Sequence, residues 1–198
     1  MVWQKEYKFY LIIKEYDILI KYSGENKKNM IRNVQLKDAK EIANIYRYYV
    51  EETVISFDIC APSVTEMENR ITRYTKKYPW LVYELNGKIV GYAYANQFKK
   101  KVAYDSTVEI SIYIHKDFCS KGYGNEILRA LLKQLNDYPY YMAIACITYP
   151  NEKSQRLFKK LGFKYVGQYN NVGRKFDQWL SVVDYELQIK ELTINNLL

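Results

Sequence analysis

The chain is sparing with the residues that mark the most recognisable sites. It carries three cysteines and one histidine in 198 residues. Cys60, Cys119 and Cys146 are odd in number and widely spaced. That pattern offers neither a zinc-ligand spacing nor a disulfide framework, and it fits a reducing cytoplasm; no metal is expected. No apolar run approaches the ~18 residues that a membrane-spanning helix needs, so no membrane partner is expected. The N-terminus has no basic region ahead of an uninterrupted apolar core, so no signal peptide is read there. Neither G-x-G-x-x-G nor G-x-x-x-x-G-K-[ST] occurs, which removes the usual dinucleotide and triphosphate loops.

Positive charge is in excess, at +8, yet scattered. Short clusters occur at Lys27-Lys28, Lys76-Lys77 and Lys99 to Lys101. Clusters of this length read as solvated loops, and no nucleic-acid partner is expected. A basic cleft that steers a polyanionic small molecule is a simpler use of the charge. Hydrophobic residues make up 48% of the 198, which suits one domain with a substantial core.

Two adjoining segments carry the most information. Val108-Glu-Ile-Ser-Ile-Tyr-Ile114 alternates, with Val108, Ile110, Ile112 and Ile114 on one face and Glu109, Ser111 and Tyr113 on the other, the period of a half-buried strand. Lys121-Gly-Tyr-Gly-Asn-Glu-Ile-Leu128 follows. Gly122 and Gly124 permit positive φ and a close approach to the main chain. From Asn125 onward Ile127, Leu128, Leu131, Leu132 and Leu135 form a helical apolar stripe. Strand, glycine turn and helix together aim backbone N–H groups and the positive end of a helix dipole at one point, a phosphate site. Glu109 is either a desolvated carboxylate with the raised pKa of a general base or a solvated outer-face residue. Alternation alone does not separate the two.

Downstream, Tyr141 to Thr148 reads as a central apolar strand and Glu152 to Leu161 as a helix stopped by Gly162. Phe163 to Tyr169 and Trp179 to Gln188 read as further strands. Tyr78-Pro-Trp-Leu-Val82, Gly91-Tyr-Ala-Tyr-Ala95, Ala103-Tyr-Asp105, the Glu109 strand, Pro150-Asn151, Ser154 and Leu161-Gly-Phe163 occur in that order. With them the chain resembles the GNAT superfamily of acetyl-CoA-dependent N-acetyltransferases, and within it the phosphinothricin and methionine-sulfoximine acetyltransferases. The resemblance covers Met30 to about Gln188.

It implies an α/β (α+β) fold: a mixed, mostly antiparallel central sheet that splays between two central strands and is flanked by helices. It also implies acetyl-CoA in that cleft. The pyrophosphate would lie on the amides of Ser120, Lys121, Gly122, Tyr123, Gly124 and Asn125, and the pantetheine arm along Ile112, Tyr113 and Ile114. Asn151 and Lys160 would add contacts. Glu109 takes the place of the family's general base, acting on the substrate ammonium through water, with a backbone amide of its strand on the tetrahedral oxyanion. Phe57, in Ile55-Ser-Phe-Asp58, matches the aromatic that lines the acceptor pocket, and Tyr104 and Asp105 border the same pocket; core packing is the alternative for the aromatics. Arg70 and Arg73, at i, i+3 on one helix face, offer a fork for a carboxylate or a solvated basic face.

Two departures stand out. Cys119 replaces the Gln or Arg that the family carries three residues before the first turn glycine. An amide cradle needs no particular side chain, so altered cofactor contacts are expected, not their loss. Cys119 is either a reactive thiol near a helix N-terminus or a small buried residue. Phe158 stands where a Tyr or, in this subfamily, a His is proposed to move a proton, and the sole histidine, His115, lies elsewhere. No His-based catalytic pair is expected. Coenzyme A is a thiol, with a pKa of ~8.5, and can leave without a strong acid.

The expected acceptor is a small amino acid or analogue of the phosphinothricin, methionine sulfoximine or methionine sulfone type, and the expected assembly is a homodimer. A peptide or protein N-acetyltransferase and a non-catalytic acetyl-CoA-binding protein are the alternatives. Residues 1–29 stand apart from the acetyltransferase-like domain at 30–188 and the tail at 189–198. Phe9 to Ile13 and Ile18 to Tyr22 have strand-like composition, and Ser23 to Asn29 reads as a linker. Either they form a hairpin on a sheet edge or partner subunit, or Met30 is the true start. The first helix is expected to open near Asp38.

Overall fold

The computed structural model describes residues 10–13, 18–23 and 27–191. Among them one sheet runs in the order β1 (Tyr10–Ile13), β2 (Ile18–Ser23), β3 (Lys27–Asn33), β4 (Trp80–Leu85), β5 (Lys88–Gln97), β6 (Thr107–Ile114), β7 (Met142–Tyr149), β9 (Gln178–Gln188) and β8 (Lys164–Lys175). Every neighbouring pair is antiparallel except β6 with β7. Four α-helices flank the sheet in this region: α1 (Ala39–Glu51), α2 (Val64–Tyr74), α3 (Tyr123–Leu135) and α4 (Glu152–Lys160). This is the mixed, mostly antiparallel α/β architecture expected from the sequence. None of the described helices is long and apolar enough to cross a membrane.

Alternation sorts the sheet into two faces. Val108 and Ile110 face α3, whose stripe of Ile127, Leu128, Leu131 and Leu135 is fully buried. On the other face α1 and α2 cover Trp80, Val82 and Tyr92, and Trp80 stacks on Tyr94 at 4.5 Å between ring centroids. Glu109, Ser111 and Tyr113 share that second face. Ser63 caps α2 by accepting the Glu66 N–H at 3.1 Å, the Ser-x-x-Glu start that fixes where the helix begins. A buried ion cluster pins β3 to the start of α1. The Arg32 guanidinium meets both carboxylate oxygens of Asp38, at 2.7 and 2.9 Å, and Glu84 at 2.9 Å.

Element ends differ from the sequence reading in physically clear ways. β3 begins at Lys27, three residues ahead of Met30, because Lys27 and Lys28 take partners in β2. Phe9 and residues 24–26 of the expected linker lie outside the described residues. β8 is longer than read, ending at Lys175. It turns into β9 through Phe176 and Asp177, both at positive φ (48° and 57°). That is the handed two-residue turn usually signalled by Asn-Gly, here without a glycine.

Candidate active site

Glu109 stands where the sheet opens. β6 pairs with β5 from Val108 to Ile114, but with β7 only at Thr107, Val108 and Glu109. β7 continues to Tyr149 on its other neighbour, β9. The two parallel strands therefore part directly after Glu109. The His115 N–H donates to the Val90 carbonyl at 2.8 Å. In an antiparallel ladder the hydrogen-bonding direction alternates, so Tyr113 spends its backbone on β5 while Ile112 and Ile114 turn N–H and C=O into the opening. The Ile114 carbonyl accepts the Tyr49 hydroxyl from α1.

The mouth of this cleft is a cradle of amides. Ser120 and Gly122 adopt positive φ (62° and 92°), and Gly122 is the N-terminal boundary of α3 without a side-chain cap. Among the described residues the N–H groups of Lys121, Gly122, Tyr123 and Gly124 meet no backbone acceptor. Successive free amides of this kind at a helix N-terminus bind anions. Asn125 Oδ1 is buried there without a hydrogen-bond partner among the described residues. Gly124 lies so near β6 and α4 that a β-carbon would sit 3.3 Å from Leu157 and 3.4 Å from Ile112. Lys121 extends along the cradle, its ammonium on the Asp117 carbonyl at 2.7 Å. An open strand edge leading into an amide nest fits a ligand with amide groups in its arm and phosphates at its end, as acetyl-CoA has.

A second space lies at the end of β5. Glu109 pairs with Asn96 of β5, and Asn96 lines a cavity of about 950 Å3 with Arg73, Lys76, Lys77, Lys99, Lys100 and Asp105 on its walls. The two lysine clusters that read as solvated loops thus converge on one cavity. Phe57 sits on the loop between α1 and α2, its ring against Gly173 of β8. That loop is tied to β7 and β8: Thr148 Oγ1 donates to the Ile55 carbonyl at 2.9 Å and the buried Lys175 ammonium to the Ser56 carbonyl at 2.7 Å.

Glu109 itself is half-buried. Burial, and then the nearby Asp184 carboxylate, hold its carboxyl above the ordinary range. Cys146 on β7 shares this environment, and burial followed by Asp184 and Glu109 pushes its thiol up to about 12. A base of raised pKa next to an open cleft is suited to taking a proton from an ammonium group.

The other expected site residues divide. Arg70 and Arg73 do not converge: Arg70 is spent on Glu66 at 3.2 Å and Asp58 at 3.3 Å, whereas Arg73 reaches the cavity wall. Tyr104 packs edge-on against Phe98 at 5.8 Å, with the Lys99 ammonium 5.1 Å from its ring. Asn151 caps α4, accepting the Ser154 N–H at 3.2 Å, and Lys160 is exposed at its far end. Phe158 is 2% exposed and meets Phe163 edge to face at 5.0 Å. It serves the core. His115 Nδ1 accepts the Asp117 N–H at 3.3 Å. Cys119 is half-buried, its sulfur 3.8 Å from the Tyr49 hydroxyl. Among the described residues no cluster of three His, Cys, Asp or Glu could hold a metal. Sequence reasoning missed Tyr49, Cys146, Asp184 and the joined lysine clusters: strand register reveals Cys146 and Asp184, and packing between distant elements reveals Tyr49 and the lysines.

Residues 31–183 match the family described as Acetyltransferase (GNAT) domain. The chain is 32% identical over 167 residues, covering 82% of it and 95% of the relative, to an L-amino acid N-acyltransferase of Escherichia coli. It is 31% identical over 165 residues, covering 81% and 95%, to an L-methionine sulfoximine/L-methionine sulfone acetyltransferase of Salmonella typhimurium. Its structure is similar, with a TM-score of 0.78, to a GNAT superfamily phosphinothricin acetyltransferase of Sinorhizobium meliloti in complex with acetyl-CoA. That match has 30% identity and covers 81% of this chain and 88% of the other.

Proposed function

The chain belongs to the GNAT acetyltransferase family, and we propose that it transfers the acetyl group of acetyl-CoA to the amino group of a small amino acid or analogue, with Glu109 as general base. The observation that carries the reading is the position of Glu109, at the parting of β6 and β7, in the cleft whose mouth is the amide cradle, with its β5 partner Asn96 on the wall of the basic cavity. The names of the relatives, amino-acid and methionine-sulfoximine acyltransferases, support the same acceptor class.

Each end of the site has its own task. Bound acetyl-CoA supplies an acetyl thioester and leaves as a thiol. The amides of Ser120 to Gly124 hold its phosphates, the expected Asn125 N–H being spent on the Gly122 carbonyl at 3.0 Å, and the β6 edge at Ile112 and Ile114 pairs with its arm. The acceptor's carboxylate lies toward Arg73 and the lysines of the cavity, its ammonium toward Glu109, and Phe57 forms a wall. Glu109 takes one proton, directly or through water, which frees the nitrogen lone pair for attack. The second proton lost as the amide forms goes to the departing sulfur. Phe158 has no proton to offer and needs none, because a thiolate is already a competent leaving group.

We further infer a cytoplasmic homodimer. Its support is the outer strand: Tyr165, Val166, Tyr169 and Val172 of β8, with Trp179, are each more than half exposed, an apolar strip that a second copy would cover. Three free cysteines fit a reducing compartment.

The test is acetyl transfer by purified protein to phosphinothricin, methionine sulfoximine, methionine sulfone and natural amino acids, with product identified by mass spectrometry. Acceptor-dependent N-acetylated product supports the reading. No product with any of them, despite measured acetyl-CoA binding, would return the protein to a peptide acetyltransferase or a binding role.

A further inference from the structure

We propose that Asp184 is the second carboxylate of the acceptor site and holds the acceptor's ammonium group beside Glu109 until Glu109 takes its proton. The inference rests on the reading of Glu109 as base and adds a residue that the reading does not use.

Geometry places Asp184 there. Glu109 pairs with Ile144 across β6 and β7, and Cys146, two residues along β7, pairs with Asp184 across β7 and β9. Paired residues share a face, as do residues two apart in a strand. Glu109, Cys146 and Asp184 therefore stand on one face, with Asp184 across the opening between β6 and β7. The Asp184 carboxylate takes a hydrogen bond from the Cys146 thiol, but its Oδ1 is buried with no hydrogen-bond partner among the described residues. A desolvated carboxylate oxygen without a donor is unfavourable, and two neighbouring carboxylates compound it. A cation between them answers both. Other titratable groups on this face are Tyr92 and Tyr94 on β5, Tyr113 on β6, Cys146 on β7, Glu186 on β9 and Lys164 and Lys175 on β8, with Tyr46, Asp58 and its partner Arg70 closing over Tyr113. The cations near it are used elsewhere: the Lys175 ammonium sits on the Ser56 carbonyl at 2.7 Å and Arg70 on Asp58 and Glu66, which leaves the acceptor's ammonium as the cation for the Glu109–Asp184 pair.

The arrangement also explains turnover. The acceptor arrives as an ammonium ion, which both carboxylates attract. Once acetylated it is a neutral amide with no charge for Asp184 to hold, so the product is released from the place where the substrate was retained.

Asp184→Asn and Asp184→Glu test this, measured against wild type for both substrates and across pH. Asp184→Asn should raise the acceptor KM about tenfold, as loss of a charged hydrogen bond does. It should leave the acetyl-CoA KM unchanged and move the acid limb of kcat/KM to lower pH, because Glu109 loses a negative neighbour. Asp184→Glu should restore part of the acceptor affinity. An acceptor KM and acid limb identical to wild type would overturn the proposal while leaving the acetyltransferase reading intact. A wild type that acetylates nothing would instead remove that reading. The Glu109 carboxyl titration by 13C NMR then decides alone: no downward movement in Asp184→Asn overturns the pairing whatever the activity.

Discussion

Phe57 rests on Gly173 so closely that a β-carbon added there would stand 2.3 Å from ring atom Cε2 and within 3.0 Å of two more ring atoms. Ordinary contact begins at 3.4 Å, so Gly173→Ala drives the ring back by about an ångström. The backbone tolerates the change: Gly173 is not in the left-handed region, and Ala in a strand is favoured over Gly by about 0.5–1 kcal/mol. Phe57 is 40% exposed, which leaves the ring room to move outward, so stability should change by less than about 1 kcal/mol. Function should be less forgiving, since a displacement of ~1 Å at a positioning group can cost ~100-fold. The expected result is a ten- to hundredfold loss in kcat/KM for the acceptor, with the acetyl-CoA KM and Tm unchanged. Steady-state kinetics with each substrate varied in turn reads both. Unchanged acceptor kinetics in a folded variant would take Phe57 out of the acceptor wall, and equal loss for both substrates would mean general damage.

Other perturbations separate cofactor, stability and charge. Gly122→Ala forces a side chain onto a φ of 92°, costing about 1–2 kcal/mol; acetyl-CoA binding by calorimetry should weaken at least about fivefold, and unchanged affinity would remove Gly122 from the cradle. Arg32→Met strands Asp38, which is 4% exposed, and should cost about 3–5 kcal/mol in urea unfolding; a loss under about 1 kcal/mol would show the cluster to be decorative. Glu109 is held above its ordinary pKa by burial and Asp184, so the folded state keeps a proton that the unfolded state releases, and its ionisation opposes folding. Glu109→Gln should therefore melt above wild type near neutral pH, the gap closing as pH falls below the ordinary glutamate value of about 4.3. A gap that is constant with pH would contradict that shift.

The amide cradle was legible because it is local. Strand, turn and helix lie within Val108 to Leu135, and alternation, two glycines and an apolar stripe report them directly. The place of Glu109 was legible as a choice: alternation placed it on the face opposite Ile110 but could not say whether that face was covered. The Glu109–Asp184 pair and the basic cavity were not legible, because they are made by elements distant in the chain. Asp184 meets Glu109 only through β7, and Lys76 meets Lys99 only because α2 and β5 end at one cavity. Arg70 and Arg73 share a helix face, yet Asp58 and Glu66 claim the first, a competition that spacing along the helix does not contain. The β8 turn escaped because Phe176 and Asp177 adopt positive φ without glycine.

The central claim is that Glu109 accepts the proton of an amine acceptor. Its most direct test is single-turnover acetyl transfer by wild type and Glu109→Gln at saturating acetyl-CoA, with product followed by mass spectrometry across pH. The account predicts a rate about 10²–10⁴-fold lower in Glu109→Gln, with acetyl-CoA affinity retained and the gap narrowing as pH rises and the free amine becomes abundant. Equal rates in the two proteins would contradict it and leave Glu109 a bystander at the opening of the sheet.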